Sequence, residues 1–286
     1  MPNGALSGGS QVMEGYKADS GFARRTAEIG VPNMAPEFRI DEVIRTTYDN
    51  IGLEQLEPVR SLPARIGIGG LPSILLSKLR PMLKYSQLNK DDYLFQQDDR
   101  VSQIYFPETA VISEFQMLAD GRTIEVAVTG SESAVGISSV WSTSSAVNCA
   151  QVCVAGTAYR IETDLLEREL TYSRPLQRWL HDQINSYIKQ ISQKVICNTH
   201  HAVEERFCTW LLMLQDRSKK SKFNLTQEYI AGVLGVYRPS VTCMAKAIRE
   251  KEAIDYVRGQ IFITDRQKLK KMSCACYTEL PFSKTY

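Results

Sequence analysis

The side chains in this sequence that could do chemistry are seven cysteines, three histidines and a short polar run around Arg238. Thiols and imidazoles bind metal ions, and a thiol can also form a disulfide. Seven is an odd number and the first 148 residues contain no cysteine, so a disulfide framework is not expected. The catalytic motifs G-x-x-x-x-G-K-[ST], H-E-x-x-H and G-x-S-x-G are all absent. The sequence therefore predicts a protein that is not an enzyme.

Metal and cofactor sites are not indicated by the spacing of these residues. Cys274-x-Cys276 has no second pair at the spacing typical of metal ligands. His200 and His201 are adjacent, and a regular helix cannot direct both of them at one ion. We therefore predict no metal and no cofactor.

Thiol chemistry remains open as a sensing mechanism. Cys149 and Cys153 lie four residues apart on a predicted strand, which is too far for a relaxed disulfide. Cys243 is the more interesting residue because its segment carries the strongest motif of the chain, although a small packed side chain is its more common role.

That motif runs from Gln227 to Lys246 and has the pattern of a helix-turn-helix. The position where the two helices cross must be small, and it is Ala231. The turn often needs a positive φ, and it is Gly235. Thr226 is a suitable N-cap for the first helix, and Pro239 fits the first turn of the second. The predicted apolar contacts between the helices come from Ile230, Leu234, Val236, Val241 and Met244.

The second helix of such a motif enters the major groove of DNA by its N-terminal residues. Arg238 is the best candidate for reading a base, because a guanidinium can donate two hydrogen bonds to guanine, and a phosphate contact is the alternative. Ser240 and Thr242 can donate to phosphates or base edges, whereas Lys246 and Arg258 are better suited to phosphates. The predicted DNA-binding residues are Thr226, Tyr237, Arg238, Pro239, Ser240, Thr242, Cys243, Lys246, Arg258 and Gln260.

The surroundings of the motif support this prediction. Residues 254–264 have the pattern of a β-hairpin turning near Arg258, which would form a wing, and Asp265 can cap a last basic helix. The net charge of +2 is also divided unevenly. Residues 201–286 contain 15 Lys+Arg and 9 Asp+Glu, whereas residues 1–200 contain 19 and 23. The basic C-terminal part is the one expected to meet a polyanion.

The elements before the motif change in periodicity along the chain. Residues 1–36 are predicted to be a mobile extension, and a helix is predicted from the Ser73 N-cap through Leu83. Short alternating segments between Tyr85 and Glu162 predict an antiparallel barrel or sandwich. A long amphipathic helix follows, from about Arg174 to Asn198. Its apolar stripe consists of Leu176, Leu180, Ile184, Tyr187, Ile191 and Val195.

Two interpretations of the long helix are open: it covers a core, or it forms a coiled-coil seam between two identical chains. The sequence contains no apolar run long enough to span a bilayer and no signal-peptide pattern, so we expect a cytoplasmic protein without membrane contact.

In this order of parts the sequence resembles the Crp/Fnr family of bacterial transcription regulators. IYFPETAVIS at 104–113 and DGRTIEVAVTGSESAVG at 120–136 look like the family's cyclic-nucleotide-binding-like barrel, and LTQEYIAGVLGVYRPSV at 225–241 looks like its DNA-binding motif. The resemblance implies an α+β fold with a jelly-roll-like antiparallel β-barrel, a dimerisation helix and a winged helix-turn-helix. The expected boundaries are 1–68 for an N-terminal extension, 69–173 for the barrel, 174–200 for the helix and 201–280 for the winged helix-turn-helix.

The resemblance further implies a homodimer that binds double-stranded DNA at a two-fold-related site, with RNA polymerase as a candidate partner. The sequence departs from the family at the residues that would bind the effector in the barrel. Gly136-Ile137-Ser138 stands near the family's Gly-Glu pair, and no Lys or Arg occurs between Arg122 and Arg160 to bind a cyclic phosphate. Glu132 could be assigned to a ribose but would lack the phosphate partner. We therefore expect no regulation by cyclic nucleotide. An alternative is a thiol- or small-molecule-responsive sensor or scaffold with weak or lost DNA binding.

Overall fold

The computed structural model describes Leu71 and residues 73–141 and 145–279. The expected N-terminal extension at 1–68 lies outside these residues. Helix α1 spans Ser73–Leu79 and is followed by a 3-10 turn at Arg80–Met82. The predicted helix is therefore shorter than expected, because Pro81 has no amide hydrogen to continue the α-helical pattern.

Seven strands form the N-terminal half of the described chain in two antiparallel sheets. The strands are β1 (Lys84–Leu88), β2 (Tyr93–Phe95), β3 (Gln103–Pro107), β4 (Val111–Met117), β5 (Thr123–Thr129), β6 (Cys149–Val154) and β7 (Gly156–Glu162). One sheet has the order β1-β7-β3 and the other β2-β6-β4-β5. This confirms the predicted jelly-roll-like class, with two sheets rather than one closed barrel. We refer to β1–β7 as the sensory domain, after the role that the resemblance implies.

Gly156 shows how tightly the two sheets are connected. A Cβ atom at this position would lie 2.3 Å from the amide nitrogen of Ala110. Only glycine permits this approach between the β6–β7 connection and the chain leading into β4.

Two helices follow the sheets. Helix α2 spans Thr163–Tyr172, and helix α3 spans Arg174–His200, close to the predicted long helix. Ser173 caps α3 by accepting a hydrogen bond from the Leu176 amide at 3.4 Å, and Pro175 lies in its first turn.

The C-terminal part contains the predicted winged helix-turn-helix. Its elements are α4 (Val203–Ser218), β8 (Lys222–Asn224), α5 (Gln227–Leu234), α6 (Arg238–Glu250), β9 (Ile254–Val257), β10 (Gln260–Ile263), α7 (Arg266–Met272) and α8 (Cys276–Glu279). The three strands form an antiparallel sheet in the order β8-β10-β9. None of the helices described, α1 to α8, has both the length and the apolar character that a bilayer crossing requires.

Two apolar cores hold these parts together. The first fills the space between the two sheets and includes side chains from α1 to α3. The second is centred on Phe207 and Leu211 of α4, and it also contains Val111, Val128 and Cys153 from the four-stranded sheet. The winged helix-turn-helix therefore packs directly on an outer face of the sensory domain.

Candidate nucleic-acid interface

The helix-turn-helix has the local geometry that its sequence predicts. The hydroxyl of Thr226 caps α5 by accepting a hydrogen bond from the Tyr229 amide at 3.1 Å. Gly235 ends the helix with φ +63°, a left-handed conformation that costs other residues energy. The Val236 amide then donates to the carbonyl of Ala231 at 3.0 Å, which closes the turn. Ala231 is buried, as expected for the position where the helices cross.

The contact between α5 and α6 is also the predicted one. Of the five residues predicted to fix the two helices, Val236 is partly buried. The four fully buried ones are Ile230, Leu234, Val241 and Met244. With α6 fixed in this way, its opposite face is presented by a rigid scaffold.

The residues predicted to bind DNA lie on α6, at the start of α5 and in the wing. Gln260 is half-buried in β10. The exposed residues are Thr226, Tyr237, Arg238, Pro239, Ser240, Thr242, Cys243, Lys246 and Arg258. Arg238, Pro239, Ser240, Thr242, Cys243 and Lys246 belong to α6, and we call this exposed set the α6 face. The individual DNA contacts remain predictions.

The wing is the predicted hairpin between β9 and β10. Its two turn residues, Arg258 and Gly259, have φ of +48° and +76°, the pattern of a two-residue hairpin turn. The amide of Leu225 donates to the Gly259 carbonyl at 2.8 Å, so the wing tip is tied to the segment just before α5. Asp265 caps α7 by accepting from the amide of Gln267 at 2.8 Å.

A cleft of about 800 Å³ separates the start of α6 from the β4–β5 hairpin of the sensory domain. Tyr237 and Arg238 line one side, and Asp120 and Arg122 line the other. Arg122 and Asp120 form an ion pair at 2.8 Å, which keeps the pKa of this exposed Asp120 below its usual value. The base-reading candidate Arg238 thus faces a second charged surface of the same chain.

The predicted dimer seam needs correction. Leu176 and Leu180 are each 1% exposed in the sensory core and cannot contact a second chain directly. Tyr187 is occupied as well, because its hydroxyl donates to the carboxylate of Glu114 at 3.1 Å. Ile184 and Ile191 are only partly exposed, and Val195 alone of the predicted stripe is open to solvent.

The first half of the helix therefore covers a core, which was the other interpretation. The apolar side chains that α3 leaves open are Ile188, Val195 and Ile196, at 54%, 61% and 49% exposure. They lie in the second half of the helix, and we call them the α3 apolar face.

Two buried carboxylates join the sensory domain to α4. Glu132 accepts a hydrogen bond from Arg217 Nε at 2.5 Å, and the two side chains are 10% and 2% exposed. The residue that could have been assigned to a ribose is thus bound to a cation of the winged helix-turn-helix. Glu125 accepts from Trp210 Nε1 at 3.1 Å and from Lys194 Nζ of α3 at 3.1 Å. Neither contact was predictable from spacing, since each joins residues far apart in sequence.

A third contact consists of thiols and one imidazole, and it corrects the expectation that Cys274 and Cys276 have no partners. Cys197 in the last turn of α3 lies 3.6 Å from Cys274, sulfur to sulfur. His201, which ends α3, places Nδ1 3.3 Å from the sulfur of Cys276. The four ligand atoms all lie within 4.8 Å of one another.

We call these four residues the Cys3His cluster; its three cysteines are buried and His201 is half-buried. Hydrogen bonds from the Cys197 thiol and the Thr209 hydroxyl lower the pKa of Cys274. The cluster could hold a metal ion. The signal that could have revealed it is the i, i+4 spacing of Cys197 and His201, which is the spacing of neighbours on one helix face.

Comparison with known proteins agrees with this geometry. Residues 205–272 match the family model of the Crp-like helix-turn-helix domain. A search of curated proteins finds no match. Among solved structures, a protein from Eubacterium rectale assigned to the Crp/Fnr regulators has a TM-score of 0.59 at 14% identity, covering 71% of this chain and 95% of its own.

Two further solved structures have the same arrangement. FixK2 from Bradyrhizobium japonicum has a TM-score of 0.57 at 17% identity, covering 68% of this chain and 98% of its own. The c-di-GMP-responsive regulator CLP from Xanthomonas campestris has a TM-score of 0.57 at 11% identity, covering 67% and 99%. At these identities the likeness establishes the fold.

The interface and the Crp-like helix-turn-helix domain define a DNA-binding transcription regulator, with a two-sheet N-terminal domain and a C-terminal winged helix-turn-helix. The predicted resemblance to the Crp/Fnr family is confirmed, because a Crp-like helix-turn-helix domain occurs on the fold of the Crp/Fnr regulators.

Proposed function

We propose that the protein is a cytoplasmic homodimer that reads a two-fold-related DNA site through Arg238 and controls transcription from that site. The observation that carries this proposal is the α6 face, where six predicted DNA-binding residues are exposed on one fixed helix. Arg238, in the first turn of α6, is in the position from which such helices reach base edges. Arg258 at the wing tip is suited to the sugar-phosphate backbone.

DNA binding is tested by selecting bound sequences from a random duplex library and footprinting the selected site. We expect protection with two-fold symmetry and half-sites about 34 Å apart, one turn of B-DNA. Arg238→Ala should cost about 1–3 kcal/mol of specific binding and relax the preference at one base position. Arg100→Ala is the matched control, because Arg100 is an exposed arginine of the sensory domain paired with Asp164. Unchanged operator affinity in Arg238→Ala would contradict base reading by this residue.

The dimer is proposed to form through the α3 apolar face. Three exposed branched aliphatic residues on one long helix would be costly to leave in water, and parallel packing of two such helices buries them. Ile188→Asp combined with Val195→Asp should convert the dimer to a monomer in light scattering. Tyr172→Asp is the control, since Tyr172 is 86% exposed on α2. A dimer that survives the double substitution would place the interface elsewhere.

The sensory domain is proposed not to respond to cyclic nucleotide. Glu132 is bound to Arg217, and residues 123–159 contain no cation for a buried phosphate. We expect cyclic AMP and cyclic GMP to leave the melting temperature and operator affinity unchanged. A clear thermal shift with either nucleotide would contradict this.

A thiol response is the second candidate, favoured by the exposure of Cys243 on the α6 face. Oxidation there would add a polar group within the proposed DNA contact. Peroxide should weaken operator binding of the wild type and leave Cys243→Ser unaffected. Equal loss in both would exclude Cys243 as the sensor.

A further inference from the structure

The Cys3His cluster is made by two short segments that are more than seventy residues apart in sequence. Cys197 lies in the last turn of α3, and His201 directly follows the helix, four residues later. Cys274 lies between α7 and α8, and Cys276 is the first residue of α8. Each segment thus supplies two ligands, and neither pair alone could hold an ion.

The spacing of the four ligand atoms fits a small tetrahedral ion. Ligands placed about 2.3 Å from a central zinc, as thiolates are, lie about 3.8 Å apart at the corners of a tetrahedron. The observed separations of 3.6 Å for Cys197–Cys274 and 3.3 Å for Cys276–His201 are close to this. A small outward movement of the side chains would admit the ion.

The surroundings of the cluster are those of ligating thiolates. The Thr209 hydroxyl lies 3.0 Å from the sulfur of Cys274, and Gln193 Nε2 donates to the sulfur of Cys276 at 2.8 Å. Metal-bound sulfur is commonly oriented by such outer donors. Arg206 lines the same small pocket as Cys197 and Cys276. These groups favour a site that carries negative charge.

We propose that the Cys3His cluster binds one Zn²⁺ ion per chain as a structural site. Three thiolates and one imidazole make a closed tetrahedral set without an open position, which distinguishes structural from catalytic zinc. Soft sulfur ligands in tetrahedral geometry favour zinc over magnesium, calcium or manganese. The ion would join the end of α3 to the segment after α7 and so enclose the whole winged helix-turn-helix in a loop.

The first measurement is the metal content of the full chain, purified with a tag that does not itself bind metal. We expect about one zinc per chain. Cys274→Ser and Cys276→Ser should each reduce bound zinc at least tenfold. The matched control is Cys208→Ser, a buried cysteine outside the cluster. Exposed Cys243 supplies a second control in Cys243→Ser.

A second measurement does not depend on how the variants fold. The wild type is treated with a chelator, shown to be still folded, and titrated with Co²⁺. Saturation at one equivalent should produce the strong visible absorption of tetrahedral cobalt with thiolate ligands, and Zn²⁺ should abolish it. Absence of metal together with a Cys197–Cys274 disulfide in peptide mapping would overturn the proposal. Iron in place of zinc, or the same zinc content in Cys274→Ser and Cys276→Ser as in the wild type, would overturn it as well.

Discussion

Replacing Glu132 by glutamine should destabilise the protein far more than the same replacement of a solvent-exposed glutamate. The carboxylate is 10% exposed and its partner Arg217 is 2% exposed, so both charges are removed from water. Glutamine keeps the shape and one acceptor oxygen, and therefore removes little except the negative charge. Removing one charge of a buried ion pair typically costs about 3–5 kcal/mol.

Urea unfolding measures this cost, followed by tryptophan fluorescence and by circular dichroism. Trp210 lies in α4, the helix that also carries Arg217, so fluorescence reports on the affected region. The two probes must give coincident transitions before a free energy is derived, because the chain has two packed parts. Replacing both partners, in Glu132→Leu with Arg217→Met, should cost less than Glu132→Gln alone, since no unpaired charge remains.

The control for this series is Glu162→Gln. Glu162 pairs with Lys84 at 2.8 Å, but its side chain is 49% exposed. Water screens an ion pair of this kind, so its loss should leave the unfolding midpoint essentially unchanged. If Glu132→Gln behaves like Glu162→Gln, the buried pair does not contribute as its geometry indicates, and the reasoning is refuted.

Three further predictions concern other parts of the molecule. Burial raises the pKa of Glu114 to about 7. The stability contributed by its protonated carboxyl is therefore full below about pH 4.5 and is lost as the pH rises through 7. Glu114→Gln keeps an acceptor for Tyr187. In urea unfolding above pH 7, this variant should be more stable than the wild type by up to about 3 kcal/mol. Equal stability of the two proteins at pH 8 would contradict this. Gly235→Ala should lower the free energy of unfolding by about 1 kcal/mol or more, because alanine is strained at this left-handed φ. Gly235→Asn should lower it by less, and thermal unfolding measures both. Arg258→Ala should weaken binding to all DNA sequences alike and reduce the salt dependence of the affinity, whereas the loss in Arg238→Ala should be specific to one base. A sequence-dependent loss in Arg258→Ala would contradict the backbone contact.

The parts of the structure that could be predicted from the sequence are those fixed by local rules. The helix-turn-helix depends on the cap at Thr226, the small residue Ala231 and the left-handed turn at Gly235, all within ten residues of one another. The wing likewise depends on a two-residue turn whose type follows from Arg258-Gly259. Each of these features constrains its own backbone, so each could be identified without knowledge of the rest of the chain.

The dimer seam shows what periodicity alone cannot decide. A stripe of apolar residues at steps of three or four indicates that a helix buries one face, but not against which partner. Leu176 and Leu180 are buried in the sensory core of the same chain, whereas Val195 is exposed. The first part of the stripe thus packs within the chain, and its last part faces solvent. Only the three-dimensional packing shows where along the helix burial ends.

The buried polar contacts could not be predicted because both partners in each contact are distant in sequence. Nothing near Glu132 indicates that Arg217 is its partner, and nothing near Cys274 indicates Cys197. In a sequence read alone, Glu132 looked like an incomplete ligand site, and Cys274 with Cys276 like an isolated pair.

Helix α4 is the element on which these contacts converge, and this limits how a signal can move the winged helix-turn-helix. Trp210 is bound to Glu125 within β5, and Arg217, about two turns further along α4, is bound to Glu132 just after β5. These points lie about 10 Å apart along the helix axis, so α4 is fixed to one strand at two places and cannot pivot about either. Any movement of α4 must therefore displace β5 together with α4, or break one of the two buried carboxylate contacts. Because breaking a buried ion pair is costly, we expect β5 and α4 to move as one unit.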